Sequence, residues 1–152
     1  DNPLVPPEHV TALLAACADP QVAVATPVIA CNPALAARVL AEHAAGRVGG
    51  TCAVGDDRNS ALYFSKRPIP FGSDAATPLR FHVGLYAYRA EALRAYAGLV
   101  PAALELAEGL EQLRFLTAGI PVTLVDVPQP RQGIWEVNNP SDVEIVNALL
   151  AV

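Results

Sequence analysis

The chain has 152 residues, of which 53% are hydrophobic and 16% are charged, and its formal net charge is −5. A chain of this length buries about 68–70% of its unfolded surface, which is enough for one domain with a core. The acidic balance excludes a broad basic surface, so we predict a soluble protein that binds neither nucleic acid nor a membrane.

The cysteines and the start of the chain bear on its location. Cys17, Cys31 and Cys52 lack the spacing of a zinc site, so free thiols in a reducing compartment are expected. No apolar run reaches about 18 residues, and no signal-peptide pattern opens the chain. These features predict a cytoplasmic location. The chain has no methionine and begins with the turn residues Asp1 and Asn2, which we interpret as a cut N-terminus.

The first 30 residues predict a helix and then a strand. Residues 8–18 have apolar side chains at i, i+3, i+4 and i+7, the spacing of a one-faced helix. These side chains are Val10, Leu13, Leu14 and Cys17. Residues 21–29 carry β-branched residues at alternate positions and predict a short strand that Pro27 ends.

Residues 32–71 predict a second helix, a β-hairpin and a stiff segment. Asn32 followed by proline is typical of a capped helix start, and this helix should close at Gly46. Two apolar stretches flank the polar turn at 55–59, whose paired aspartates we interpret as turn residues rather than a metal site. Two prolines in the following segment, SKRPIPF, predict an extended backbone that holds Lys66 and Arg67 in place.

Residues 80–89, RFHVGLYAYR, alternate as a strand with two different faces. One face is apolar, and the other carries Arg80, His82, Gly84, Tyr86 and Tyr88. Because glycine has no side chain, this second face has a gap of roughly 7 Å between His82 and Tyr86. The gap could hold a ligand, or the glycine could mark a bulge in a surface strand.

Residues 103–118 predict a helix in which one carboxylate lies in an apolar stripe. Glu111 is that carboxylate, and with Gln112 and Arg114 it forms a group suited to binding hydroxyls and a carboxylate. The alternative is a structural salt bridge from Glu111 to Arg114 or to a neighbouring strand.

The C-terminal third predicts strands at 120–127 and 133–137 and a final helix capped by Asn139. Asn138 would then lie at a strand exit, where open α/β sheets bind ligands. The alternation of strands and helices predicts a mainly parallel, helix-covered sheet. No glycine-rich phosphate loop occurs, so nothing in these residues would cradle the phosphates of a nucleotide.

Five motifs occur in the order and approximate spacing of one enzyme family: DNPLVPP, ALYFSKRPIPF, RFHVGLYAYR, LEQLR and VNNPSDVEIV. From end to end the chain resembles the 3-deoxy-manno-octulosonate (Kdo) cytidylyltransferases, the CMP-Kdo synthetases. The resemblance implies an α/β fold with a Rossmann-like nucleotide-diphospho-sugar transferase sheet and flanking helices. The family's N-terminal nucleotide-binding strands have no counterpart here, so we expect residues 1–152 to be the C-terminal, sugar-binding part of a single cytidylyltransferase domain.

The resemblance also implies roles for individual residues. Asp1 stands at a catalytic, magnesium-binding aspartate, and Asn138 stands at the second magnesium aspartate, where an amide replaces the charge. Lys66 stands at a catalytic and substrate-binding arginine, whose bidentate grip on a carboxylate a lysine cannot reproduce unless Arg67 substitutes. The remaining substrate-binding positions are His82, Tyr86, Glu111 and Gln112.

The implied reaction joins CTP and Kdo to give CMP-Kdo and pyrophosphate, for lipopolysaccharide synthesis, in a cytoplasmic, Mg²⁺-dependent homodimer. We expect the 152 residues alone to be inactive. Two alternatives stay open. The sugar acid could be 8-amino-Kdo or a nonulosonic acid, or the chain could be a non-catalytic sugar-binding or dimerisation fragment.

Overall fold

The computed structural model describes residues 2–131, 133–137, 140 and 142–151. Six helices and six strands are assigned within these residues. The helices are α1 (Pro7–Ala16), α2 (Pro33–Ala44), α3 (Ala90–Ala97), α4 (Ala103–Glu108), α5 (Leu113–Thr117) and α6 (Asp142–Leu150). The strands are β1 (Val24–Ala30), β2 (Thr51–Gly55), β3 (Ala61–Ser65), β4 (Arg80–His82), β5 (Ala87–Tyr88) and β6 (Val122–Asp126). None of the described helices is long and apolar enough to cross a membrane.

The six strands form one mixed sheet in the order β3-β2-β4-β1-β5, with β6 also paired to β1. Among the described pairings only β1 with β6 is parallel. The prediction of a mainly parallel sheet is therefore wrong. Strands β2 and β3 form an antiparallel hairpin, and the short strands β4 and β5 each pair antiparallel with β1. The alternation of helices and strands along the sequence does not prevent this antiparallel pairing.

Strand β1 is the centre of the sheet, and it passes through Pro27 instead of ending there. The carbonyl of Pro27 accepts a hydrogen bond from Val83 N at 3.0 Å, so its ring nitrogen faces the same side of the strand. On that side, residue 27 lies between the part of β1 that pairs with β4 and the part that pairs with β5, so the ladder requires no hydrogen bond from its nitrogen. A proline is tolerated in this central strand for that reason.

Side chains of β1 alternate between two hydrophobic cores. Val28 belongs to a core that includes Leu113 and Phe115 of α5, and Ile29 belongs to a second core that includes Leu35 and Val39 of α2. Helices therefore cover both faces of the sheet. The predicted cap of α2 is confirmed, because Leu35 N donates to the side chain of Asn32 at 2.9 Å.

Helix α1 buries a different face from the one predicted. Leu13 is buried, but Val10 and Leu14 are 43% and 65% exposed. His9 takes the buried position, and its Nε2 donates to the carbonyl of Pro128 at 3.0 Å. A polar residue can occupy this core position because the hydrogen bond compensates the loss of water.

The predicted strand at 80–89 is two strands, β4 and β5, separated by residues 83–86. Both strands pair with β1, and the chain between them turns away from the ladder as Leu85 N bonds to the carbonyl of Val83 at 2.7 Å. The hydroxyl of Thr26 donates to the carbonyl of Leu85 at 2.8 Å. The prediction of a single strand with two different faces over residues 80–89 is therefore wrong.

The predicted helix at 103–118 is also two helices. Gly109 adopts a left-handed conformation, with φ of +62°, and ends α4. Glu111 and Gln112 then lie in the turn between α4 and α5, not on a helical stripe. Residues 133–137, predicted as a strand, are not in a strand of the structure.

Candidate active site

Two cavities share one wall. The large cavity has a volume of about 850 Å³ and includes Lys66 and Phe81 in its lining. The aromatic cavity has a volume of about 250 Å³. It is lined by Tyr86, Tyr88, Leu93, Tyr96, Gly109, Leu110, Glu111, Gln112 and Phe115. Gly109 and Leu110 line both cavities, so the turn after α4 separates them.

The aromatic cavity brings together three of the predicted substrate-binding residues: Tyr86, Glu111 and Gln112. They come from the segment between β4 and β5 and from the turn between α4 and α5, which are distant in sequence. Gln112 is buried, with 6% exposure. Phenol, carboxylate and amide groups in one small cavity can donate hydrogen bonds to, and accept them from, several hydroxyls of one ligand.

A series of ring contacts forms the apolar part of this cavity. Tyr86 and Tyr88 stack with centroids 5.5 Å apart, and Phe115 lies 5.8 Å from Tyr88 and 4.8 Å from Tyr96. Offset rings at these distances stabilise one another and keep their orientation. No sequence pattern singled out Tyr96 or Phe115 as cavity residues, although Phe115 lies within the predicted helix at 103–118.

The tyrosine hydroxyls of the cavity stay protonated at neutral pH. Burial raises the pKa of Tyr88 to about 12, and the nearby Tyr96 and the charge of Glu111 act in the same direction. Burial also raises the pKa of Tyr86, with further contributions from Tyr88, Glu136 and Glu111. A side-chain hydrogen bond with Thr26 acts on Tyr86 in the opposite direction, and both phenols keep their protons and can donate hydrogen bonds.

His82 lies one layer beneath the cavity. It is 4% exposed, lines neither cavity, and contacts the rings of Phe64 and Tyr86 with centroids 5.1 and 5.5 Å away. Since the Thr26 hydroxyl donates to the carbonyl of Leu85, it accepts from His82 Nε2, 2.8 Å away. Burial lowers the pKa of His82 to about 3, so the ring is neutral. Its predicted contact with substrate stays a prediction.

An ion pair holds the turn that carries Glu111 and Gln112. Arg114 Nε donates to Glu105 Oε2 at 2.7 Å, and Arg114 Nη2 also bonds to Glu105 Oε1. The pair links α4 to α5, and the guanidinium lies 4.3 Å from the ring centre of Tyr96. The alternative salt bridge from Glu111 to Arg114 is therefore wrong, because Glu105 binds the guanidinium.

Lys66 lies at the boundary between the two cavities. It lines the large cavity, and a Cβ built at Gly109 would be only 2.9 Å from Lys66 Nζ. Arg67 is exposed, and its backbone N–H donates to Ser65 Oγ at 3.0 Å. The structure thus brings Lys66 to the edge of the aromatic cavity but does not bring Arg67 to either cavity lining.

Sequence reasoning missed Glu108, which contacts the segment around Lys66. Glu108 Oε1 accepts from Ser65 Oγ at 2.7 Å, and Oε2 accepts from Lys66 N at 3.0 Å. No local pattern predicts a contact across 43 positions of sequence. The only sequence signal for this contact would have been the charge of Glu108, three positions after Glu105.

The two predicted magnesium ligands, Asp1 and Asn138, lie outside the described residues. Their described neighbours do meet, because Asn2 Nδ2 donates to Glu136 Oε1 in a long hydrogen bond of 3.4 Å. Among the residues that the structure describes, no group of three or more His, Cys, Asp or Glu side chains could hold a metal ion. The magnesium site therefore stays a prediction.

Comparisons with known proteins identify relatives over the whole chain. A family model described as Cytidylyltransferase matches residues 1–124. The 3-deoxy-manno-octulosonate cytidylyltransferase of Maricaulis maris (strain MCS10) is 39% identical over 99% of this chain and 60% of its own length. That of Acidobacterium capsulatum is also 39% identical, over 99% of this chain and 57% of its own length. The chain thus spans about 60% of the length of these curated relatives.

A solved structure shares the fold. It is the structure of CMP:2-keto-3-deoxy-manno-octonic acid synthetase complexed with CTP, with a TM-score of 0.78 and 37% identity over 99% of this chain and 58% of that one. This match confirms the predicted α/β nucleotidyltransferase fold. Together, the family match and the structural match show that this chain belongs to the cytidylyltransferase family.

Proposed function

We propose that this chain forms the sugar-acid side of a cytidylyltransferase that joins CTP and Kdo to give CMP-Kdo and pyrophosphate. The proposal is supported by the relatives, whose names give that activity, and by the contents of the aromatic cavity. The sugar's anomeric hydroxyl would attack the α-phosphorus of CTP. The chain's contribution is to hold that hydroxyl in line.

One observation carries the proposal: a cation stands at the edge of a cavity lined with hydroxyl-binding groups. Lys66 Nζ lies against Gly109, and Gly109 lines the same cavity as Tyr86 and Glu111. A sugar acid has a carboxylate at one end and hydroxyls along the rest. The ammonium of Lys66 suits the carboxylate, while the phenol, carboxylate and amide of the cavity suit the hydroxyls.

The residues for magnesium are Asp1 and Asn138, by resemblance. A carboxylate and an amide oxygen are ligands that Mg²⁺ accepts, with substrate oxygens completing the coordination. The ion, when bound, would neutralise negative charge on the phosphates of CTP.

The test is a chimera in which residues 1–152 replace the matching segment of the Maricaulis maris relative. We expect it to release pyrophosphate from CTP and Kdo in the presence of Mg²⁺, and the 152-residue chain alone to release none. The unsubstituted relative is the positive control. A folded chimera without activity on Kdo, 8-amino-Kdo or a nonulosonic acid would contradict the proposal.

A second candidate keeps the chemistry and changes the sugar acid. It is favoured by one observation: the aromatic cavity places the Glu111 carboxylate among four aromatic rings, a setting that also suits an ammonium group. Comparing the chimera's kcat/KM for Kdo, 8-amino-Kdo and a nonulosonic acid decides between them. A preference for Kdo would eliminate this candidate.

The proposed enzyme is a cytoplasmic homodimer. Free thiols support the location, because Cys17, Cys31 and Cys52 form no disulfide with one another. Light scattering of the chimera tests the oligomeric state. A monomer at all concentrations would contradict dimerisation.

A further inference from the structure

We propose that Glu108 is a positioning residue, which holds Lys66 where its ammonium can bind the carboxylate of the sugar acid. This inference rests on the proposed function, because it assigns the role of Lys66 in that same site. Glu108 lines neither cavity, so its effect on substrate would be exerted through Lys66.

The contacts of Glu108 converge on the end of β3. One carboxylate oxygen accepts from Ser65 Oγ at 2.7 Å, and the other accepts from Lys66 N at 3.0 Å. Ser65 Oγ in turn accepts from Arg67 N at 3.0 Å. Three consecutive residues are therefore tied, directly or through one hydroxyl, to a single carboxylate.

The next residue in the chain completes the arrangement. Gly109 follows Glu108, and the space beside its Cα is occupied by Lys66 Nζ. Glu108 thus fixes the backbone of Lys66, and Gly109 leaves room for the end of its side chain. A long lysine side chain has considerable rotamer entropy, so fixing its backbone end would reduce the cost of ordering it around a ligand.

The position of Glu108 in its helix supports a role outside the helix. It is the last residue of α4, where the helix dipole disfavours a negative charge. Its charge is directed instead at β3, where it contributes to raising the pKa of Tyr63, after burial. The carboxylate is therefore accounted for by its contacts with β3, not by α4.

The first experiment measures amide hydrogen exchange by NMR in the 152-residue chain, without substrate. Glu108→Ala removes both acceptor oxygens, so the Lys66 amide and the Ser65 hydroxyl lose this partner. We expect the Lys66 amide to exchange at least about tenfold faster, since a hydrogen bond to a charged group is stronger than one between neutral groups. Glu91→Ala, at an exposed carboxylate, is the matched control and should change nothing at Lys66.

A second variant separates the two branches of this contact. Ser65→Ala keeps the carboxylate and removes the hydroxyl that accepts from Arg67 N. It should speed exchange at Arg67 more than at Lys66. Unchanged exchange at Lys66 in Glu108→Ala would overturn the proposal, whatever the activity.

The second experiment is a double-mutant cycle in the chimera, with Glu108→Ala and Lys66→Ala. If Glu108 acts through Lys66, its substitution lowers kcat/KM for the sugar acid about tenfold with Lys66 present, and less than about twofold without it. A merely structural role of Glu108 predicts equal losses of kcat/KM with and without Lys66. Equal losses would therefore overturn the inference. A folded but inactive chimera would count against the proposed function instead, and the exchange data would still decide whether Glu108 orders Lys66.

Discussion

The ammonium of Lys66 lies beside Gly109, so close that a Cβ at position 109 would be 2.9 Å from Nζ. Gly109 is also left-handed and ends α4, and it lines both cavities. One glycine therefore sets the path of the chain and leaves room for the cation of the candidate site.

Gly109→Ala should weaken binding of the sugar acid, because the new methyl group displaces Lys66 Nζ. Gly119→Ala is the matched control, since Gly119 is left-handed as well, with φ of +73°, but has nothing within 4 Å. Both variants should lose a similar stability, about 1–2 kcal/mol, from the strained backbone. Only Gly109→Ala should raise KM for Kdo in the chimera. Equal KM values in the two variants would contradict the placement of Lys66.

Arg114→Ala should destabilise the fold more than Arg94→Ala does. Arg114 and Glu105 are 17% and 8% exposed, whereas Arg94 and Glu91 form an exposed surface pair. Removing one partner of a buried pair leaves the other charge without compensation. We expect the melting temperature to fall by several degrees for Arg114→Ala and little for Arg94→Ala. Similar shifts would show that the Glu105 pair does not hold the turn.

The same pair predicts a pH dependence. The hydrogen bond from Arg114 holds the pKa of Glu105 below its ordinary value of 4.5. Because the fold favours the charged carboxylate, this stabilisation is complete above pH 4.5 and is lost as pH falls through the lowered pKa. The stability difference between the wild type and Arg114→Ala, measured by urea unfolding, should therefore shrink on acidification. A difference that is constant down to pH 3 would contradict it.

His82 predicts a second loss of stability on acidification, at a higher pH than the loss from Glu105. Burial lowers the pKa of His82 from its ordinary value of 6.5 to about 3 in the fold. Between these two pH values the unfolded chain binds a proton that the folded chain does not. Stability should fall with falling pH by up to about 1.4 kcal/mol per unit in this window. Urea unfolding of His82→Gln should show a shallower dependence between pH 6.5 and 4.5. The same change of slope in His43→Gln would argue against His82 as the source.

Asn138→Asp should lower the Mg²⁺ concentration that gives half-maximal activity in the chimera. A carboxylate supplies a charge that the amide lacks, and Mg²⁺ binds carboxylate oxygens strongly. Titration with Mn²⁺, followed by electron paramagnetic resonance, measures binding separately from turnover. Unchanged affinity by both measurements would remove Asn138 from the predicted metal site.

Residue types and local signals were enough to nominate several parts of the site. The cap at Asn32 and the hairpin of β2 and β3 depend on near neighbours, and both were predicted correctly. The family resemblance predicted substrate-binding roles for Tyr86, Glu111 and Gln112, and these three residues line one cavity. Short-range patterns succeed here because capping, turn formation and side-chain chemistry depend on only a few adjacent residues.

Other features were decided by tertiary structure alone. Apolar periodicity continues across Gly109, so the sequence predicted one helix where left-handed backbone makes two. The predicted strand at 80–89 is divided because residues 83–86 turn away from the ladder with β1, and Glu108 contacts Lys66 across 42 positions. Through its resemblance to the cytidylyltransferases, the sequence by itself nominated side chains for binding a sugar acid. Only the packing of distant segments decided which of them share a cavity, because that depends on contacts no local pattern records.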